Sequence, residues 1–113
     1  MKPWKAPFTR LDVDGVKVVV KWVRSLGTFA AGYEVGGDYG QNTIRIARGQ
    51  TRSSMRATMV HELMHHCIER SGIKLAVREE ERLVGALDSF FLLALRENPD
   101  LVAWLTEEYE KEE

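Results

Sequence analysis

The strongest constraint on this chain is a change of hydrophobic period at "RGQTRSS", residues 48–54. Before it, apolar residues alternate or run in short β-branched blocks; after it, they recur every three or four positions. Strands have a side-chain period of two and helices one of about 3.6, so this patterning predicts a β-rich first half and an α-rich second half. In the first half, "FTRLDVDGVKVVVKWV" (8–23) is interrupted by Asp14-Gly15, a dipeptide suited to the positive φ angles of a tight turn, and predicts a hairpin. The glycine-rich "SLGTFAAGYEVGGDYGQ" predicts loops around one short strand near 31–35. "NTIRIA" (42–47) sets Thr43 and Arg45 outward against inward Ile44 and Ile46, the alternation of a half-buried strand.

In the second half, Ser53 or Ser54 is placed to cap a helix. Met55, Met59, Val60, Leu63 and Cys67 line its apolar side up to a stop at Ser71-Gly72. A second helix is expected over 77–98, ending before Pro99, with Leu83, Val84, Leu87, Phe90, Phe91, Ala94 and Leu95 on one buried face. A shorter one runs from Pro99 to about Tyr109, followed by a solvated acidic tail. The fold class is therefore α+β, a single domain over residues 1–113.

Apolar residues make up 44% and charged residues 29%, which is enough to fold without disulfides or metals as staples. A net charge of −1, with no basic block, argues against nucleic acid as a partner. One cysteine makes no internal disulfide, and "MKPWKAPFTR" lacks the apolar region of a secretory signal. No apolar run is long enough to cross a membrane. These features lead to the expectation of a cytoplasmic protein with no membrane partner; oligomeric state is not written in the sequence.

All 3 histidines lie within "VHELMHHC", residues 60–67, in the middle of the first helical segment. His61 and His65 are one turn apart on one face, close enough to bind one Zn²⁺ at about 2.0–2.1 Å from each nitrogen. Glu62 lies about 100° round the helix, beside such a metal without ligating it. The arrangement is H-E-x-x-H, in which the glutamate is general base towards zinc-bound water.

A catalytic zinc takes three protein ligands and keeps one position open. The extended pattern H-E-x-x-H-x-x-G-x-x-H fails, because Ile68 and Ser71 stand where glycine and histidine are required. His66 points about 100° away from His65, Cys67 about 120° from the metal side, and both read as core or bystander residues. Glu69 lies a turn beyond the site. The third ligand is then a carboxylate from "VREEERLVGALDSF" in the second helix. Glu81 flanks the face that packs on the motif helix and is preferred; Glu80, nearer the apolar centre, is the alternative; Glu79 points to solvent. The plainer reading is that the three form a charged first turn complementing the helix dipole. Gly85 would allow the two helices to approach, and Asp88 would orient a histidine ligand.

"TMVHELMHH" after the strand "TIRIA", together with "EERLVGALDSFFLLALRENPDL", resembles the small phage and bacterial zinc metallopeptidases of the ImmA/IrrE kind, within the gluzincin-like group. The likeness covers roughly residues 32–101. Carried over to matching positions, it implies His61 and His65 as zinc ligands, Glu62 as general base and acid, and Glu81 as third ligand. The chain departs from the family in having Gly85 where relatives often have Asn or Asp, and Asp88 where they have Ala. The implied fold is a small twisted antiparallel sheet of three or four strands packed on the motif helix. Thr43–Ala47 is its edge strand beside the metal, offered to an extended peptide; on the plainer reading, Arg45 and Arg48 merely protect that edge.

The leading functional expectation is a zinc-dependent endopeptidase acting on a protein or peptide substrate, in a phage or mobile-element setting. The alternative is a zinc-stabilised interaction or regulatory module with little or no catalysis, and a third reading is a metal-free packing domain. Tyr33 and Tyr39, in loops that can line a cleft, read as ordinary loop or core tyrosines. Gly36, Gly37 and Gly40 precede a strand rather than a helix and do not form a phosphate cradle.

Overall fold

The computed structural model of the protein describes residues 4–26, the backbone of 31–34, and residues 42–107. It has the α+β organisation expected from the sequence: four strands, β1 (Arg10–Val13), β2 (Val16–Val23), β3 (Ala31–Glu34) and β4 (Asn42–Ala47), then three helices, α1 (Arg52–Ser71), α2 (Val77–Glu97) and α3 (Pro99–Thr106). β1 and β2 form the hairpin, with Asp14 at φ 50° and Gly15 at φ 75°. Successive positive φ angles match the right-handed twist of the flanking strands, and Asp-Gly supplies them at low cost.

The strand order is β1-β2-β4-β3. β1 runs antiparallel to β2, β3 antiparallel to β4, and β2 parallel to β4, with Val20 opposite Ile44 and Trp22 opposite Ile46. The chain leaves β2 for the far edge, forms β3 there, and returns between them as β4. The sheet is therefore mixed rather than wholly antiparallel. Thr43–Ala47 is an interior strand and not the edge the family likeness implied; the edge on that side is β3. Thr43, expected to point outward, is only 1% exposed, in a strand paired on both sides, opposite Val19 of β2 and Glu34 of β3.

Val18, Ile44 and Ile46 form the centre of the core, with Leu11, Trp22, Met55 and Met59 packed against them. Through Met55 and Met59, α1 thus lies across the sheet, and it contacts both β3 and β4. Its N-cap is Thr51 rather than Ser53 or Ser54: the Thr51 hydroxyl accepts the Ser54 N–H at 3.1 Å, which places both serines inside the first turn. The helix ends where expected, at Gly72, whose φ of 78° suits a left-handed cap.

The face of α2 departs from expectation. Only Val84 is buried and Leu95 half-buried, while Leu83, Leu87, Phe90 and Phe91 stand exposed. One helix, α1, covers one side of α2, so the other side of its apolar surface has no intrachain cover among the described residues. α3 ends at Thr106; Tyr109 and the acidic tail lie outside the described residues. No helix among the described residues is long and apolar enough to cross a membrane.

Candidate metal centre

Gly72–Ala76 turns the chain from α1 into α2 so that the two helices run back along each other, with His61 level with Asp88 and His65 level with Glu80 and Glu81. Each imidazole is therefore gripped on both sides by carboxylates of α2. The Nδ1 atom of His61 lies 2.8 Å from Asp88 Oδ2, and that of His65 lies 2.5 Å from Glu80 Oε2. The two Nε2 atoms face each other at 3.2 Å, and Glu81 closes the third side with Oε1 2.8 Å from His65 Nε2 and Oε2 3.4 Å from His61 Nε2. His61, His65 and Glu81 are thus assembled within 4.8 Å of one another, with His65 buried, His61 half-buried and Glu81 exposed.

The donor chemistry of this cluster fits a divalent metal. Asp88 and Glu80 accept only, so each draws the proton of its histidine to Nδ1, leaving Nε2 with a lone pair. Two lone pairs and a carboxylate then converge on one point, an arrangement of three acceptors that repel one another unless a cation lies between them. Two of the three separations, 3.2 Å between the Nε2 atoms and 3.4 Å from His61 Nε2 to Glu81, are close to the about 3.3–3.4 Å between donors set tetrahedrally at about 2.0–2.1 Å from zinc, whereas the 2.8 Å from His65 Nε2 to Glu81 is shorter. Three protein donors with Glu81 at the surface leave a fourth direction open.

Of the two candidate carboxylates, Glu81 reaches the Nε2 side and Glu80 the Nδ1 side, so the geometry gives them different tasks. Asp88 takes the orienting position expected for it. Glu62 is buried at 7% exposure and lies within electrostatic reach of His65, His61 and Glu81. Burial pushes its carboxyl above the usual range; the two histidines pull it down and Glu81 pushes it further up. A buried carboxyl that holds its proton more tightly than usual is suited to accepting a proton and passing it on.

Other candidates fall elsewhere. His66, in α1, is fully buried, and burial lowers its proton affinity. Cys67 is exposed rather than part of the core. Glu69 is exposed and outside the cluster, as is Glu79. A Cβ added at Gly85 would meet nothing within 4 Å, so no close helix approach requires glycine there. The side chain of Tyr33, and Tyr39 with Gly36, Gly37 and Gly40, lie outside the described residues. The pairing of Glu80 with His65 is the one function of a site residue that the sequence did not assign; its signal was an acidic residue facing the centre of an apolar helix face, where a carboxylate needs a partner.

Comparison of the chain with protein-family models, with curated proteins and with solved structures returned no match.

Proposed function

We propose that this protein is a zinc-dependent metallopeptidase of the ImmA/IrrE kind that hydrolyses a peptide bond in a protein or peptide substrate. The observation that carries the reading is the convergence of His61 Nε2, His65 Nε2 and the Glu81 carboxylate, with buried Glu62 beside them. A purely structural site has no use for a proton-accepting residue at that position.

In this reading His61, His65 and Glu81 hold the zinc, and Asp88 and Glu80 keep both imidazoles in the Nδ1–H tautomer. Zinc, when bound, supplies Lewis acidity towards water and a substrate carbonyl. Glu62 accepts a proton from the attacking water and returns it to the departing amine, which its raised proton affinity favours. Among the described residues β3 is the edge strand on the side of α1, and it, rather than β4, which is paired on both sides, offers backbone groups to an extended substrate strand. A reducing, cytoplasmic setting agrees with the lone free cysteine.

The test compares zinc-loaded wild type with Glu62→Gln on host and phage lysates, reading cleavage by mass spectrometry of new termini. Wild type should generate termini that the variant does not. Identical peptide profiles, with zinc retained in both, would sink the peptidase reading and leave a zinc-stabilised module.

A further inference from the structure

α2 carries a second apolar stripe, on the side turned away from the core. Leu83, Leu87, Phe90 and Ala94 follow one another at spacings of four, three and four, the repeat of a helix seam that packs on another helix. Leu83 and Leu87 are each 46% exposed, Phe91 is 55% and Phe90 is 75% exposed. Next to the stripe, Met64, Cys67 and Ile68 of α1 join Leu83, Val84 and Leu87 of α2 in an apolar groove of about 200 Å³. The groove is large enough for an aromatic ring, since an apolar cavity of about 150 Å³ accepts benzene.

We propose that this face is the interface of a symmetric dimer of two copies of the chain, in which Phe90 of each copy enters the groove of the other. Three observations select a second copy as the occupant. Knob and hole lie side by side on one helix, so a two-fold axis between Leu87 and Phe90 satisfies both at once, as a self-complementary surface requires. That axis sets two α2 helices antiparallel, with Leu87 against Phe90 and Leu83 against Ala94, so a large residue meets a small one at the ends of the seam. The area is also right. Leu83, Leu87, Phe90, Phe91 and Ala94 expose on the order of 450 Å² of apolar surface, and the α1 side of the groove, Met64, Cys67 and Ile68, brings the total towards roughly 600 Å². That is the lower end of what each partner contributes to a stable interface and the upper end of the largest apolar patch of a typical monomer.

Cys67, the single thiol of the chain, lies in the groove and reports on its occupancy. The test is sedimentation equilibrium of the full chain, with the rate of Cys67 modification by a maleimide measured over the same dilution series. Wild type should sediment at twice 12.9 kDa, and the thiol should react slowly when concentrated and faster as the dimer dissociates. Phe90→Asp, an exposed substitution, should give a monomer with native circular dichroism and a Cys67 rate independent of concentration. A wild-type monomer at all concentrations overturns the proposal, as does a dimer that survives Phe90→Asp. So does a thiol protected equally at every dilution, which would mean that a segment of the same chain fills the groove. If Phe90→Asp fails to fold, the wild-type thiol series decides alone.

Discussion

Asp88 and Glu80 each hold the Nδ1 atom of one histidine, at 2.8 and 2.5 Å, and so determine which nitrogen is left to bind. If they act in this way, Asp88→Asn and Glu80→Gln each weaken zinc binding by about 10- to 100-fold without removing a ligand. Competition titration against a chromophoric chelator measures this, and His61→Ala should lose more than either. Glu62 yields a prediction of a different sign. Its proton affinity is raised in the folded state, so its contribution to stability is full below the unfolded pKa and is lost as pH rises through the folded value. Glu62→Gln should therefore raise the melting temperature of the metal-free protein at pH 7, and the gain should shrink as pH is lowered through the carboxyl range. A calorimetric pH series in chelator shows it; no gain at pH 7 would mean that the buried carboxylate is fully compensated by the histidines.

At the scale of elements, α1 does two jobs from two faces. Met55 and Met59 anchor it to the sheet, while His61 and His65 look towards α2. Its start is set by the Thr51 hydroxyl on the Ser54 N–H. Removing that acceptor in Thr51→Ala leaves an orphan donor and should cost about 1 kcal/mol in urea denaturation, whereas Ser53→Ala, one position inside the helix, should cost little. α2 likewise has two working faces. One carries Glu80, Glu81 and Asp88 to the histidines. The other presents the exposed Leu83, Leu87 and Phe90, and its apolar periodicity records contact that α1 alone does not provide.

For the whole molecule, the ionic cluster of His61, His65, Glu80, Glu81 and Asp88 ties α1 to α2, two helices that share few buried residues beyond Val84. Zinc that binds the folded chain and not the unfolded one should stabilise it by about 2.7 kcal/mol at a free concentration of 100 times Kd, read as an upward shift of the melting temperature. Chelation should reverse the shift. Acid should do the same, because protons compete with zinc for its ligands, so the zinc-induced shift should shrink when it is measured from pH 7 down to pH 5. A shift unchanged over that range would exclude His61 and His65 as ligands.

The sequence alone determined what local chemistry determines. The Asp14-Gly15 turn, the Gly72 stop, the strand at 42–47 and the helical face bearing His61, Glu62 and His65 follow from backbone preferences and side-chain period within a few residues. Tertiary structure decided everything that depends on which surfaces meet. It placed β4 inside a mixed sheet rather than at its edge, because pairing order is a choice among similar alternating strands and is set by the return path of the chain. It also separated Glu80 from Glu81, neighbours that periodicity ranks almost equally. Only the lateral position of α2 against α1 puts one carboxylate on an Nδ1 atom and the other between two Nε2 atoms, and that position is a property of packing that no single helix encodes.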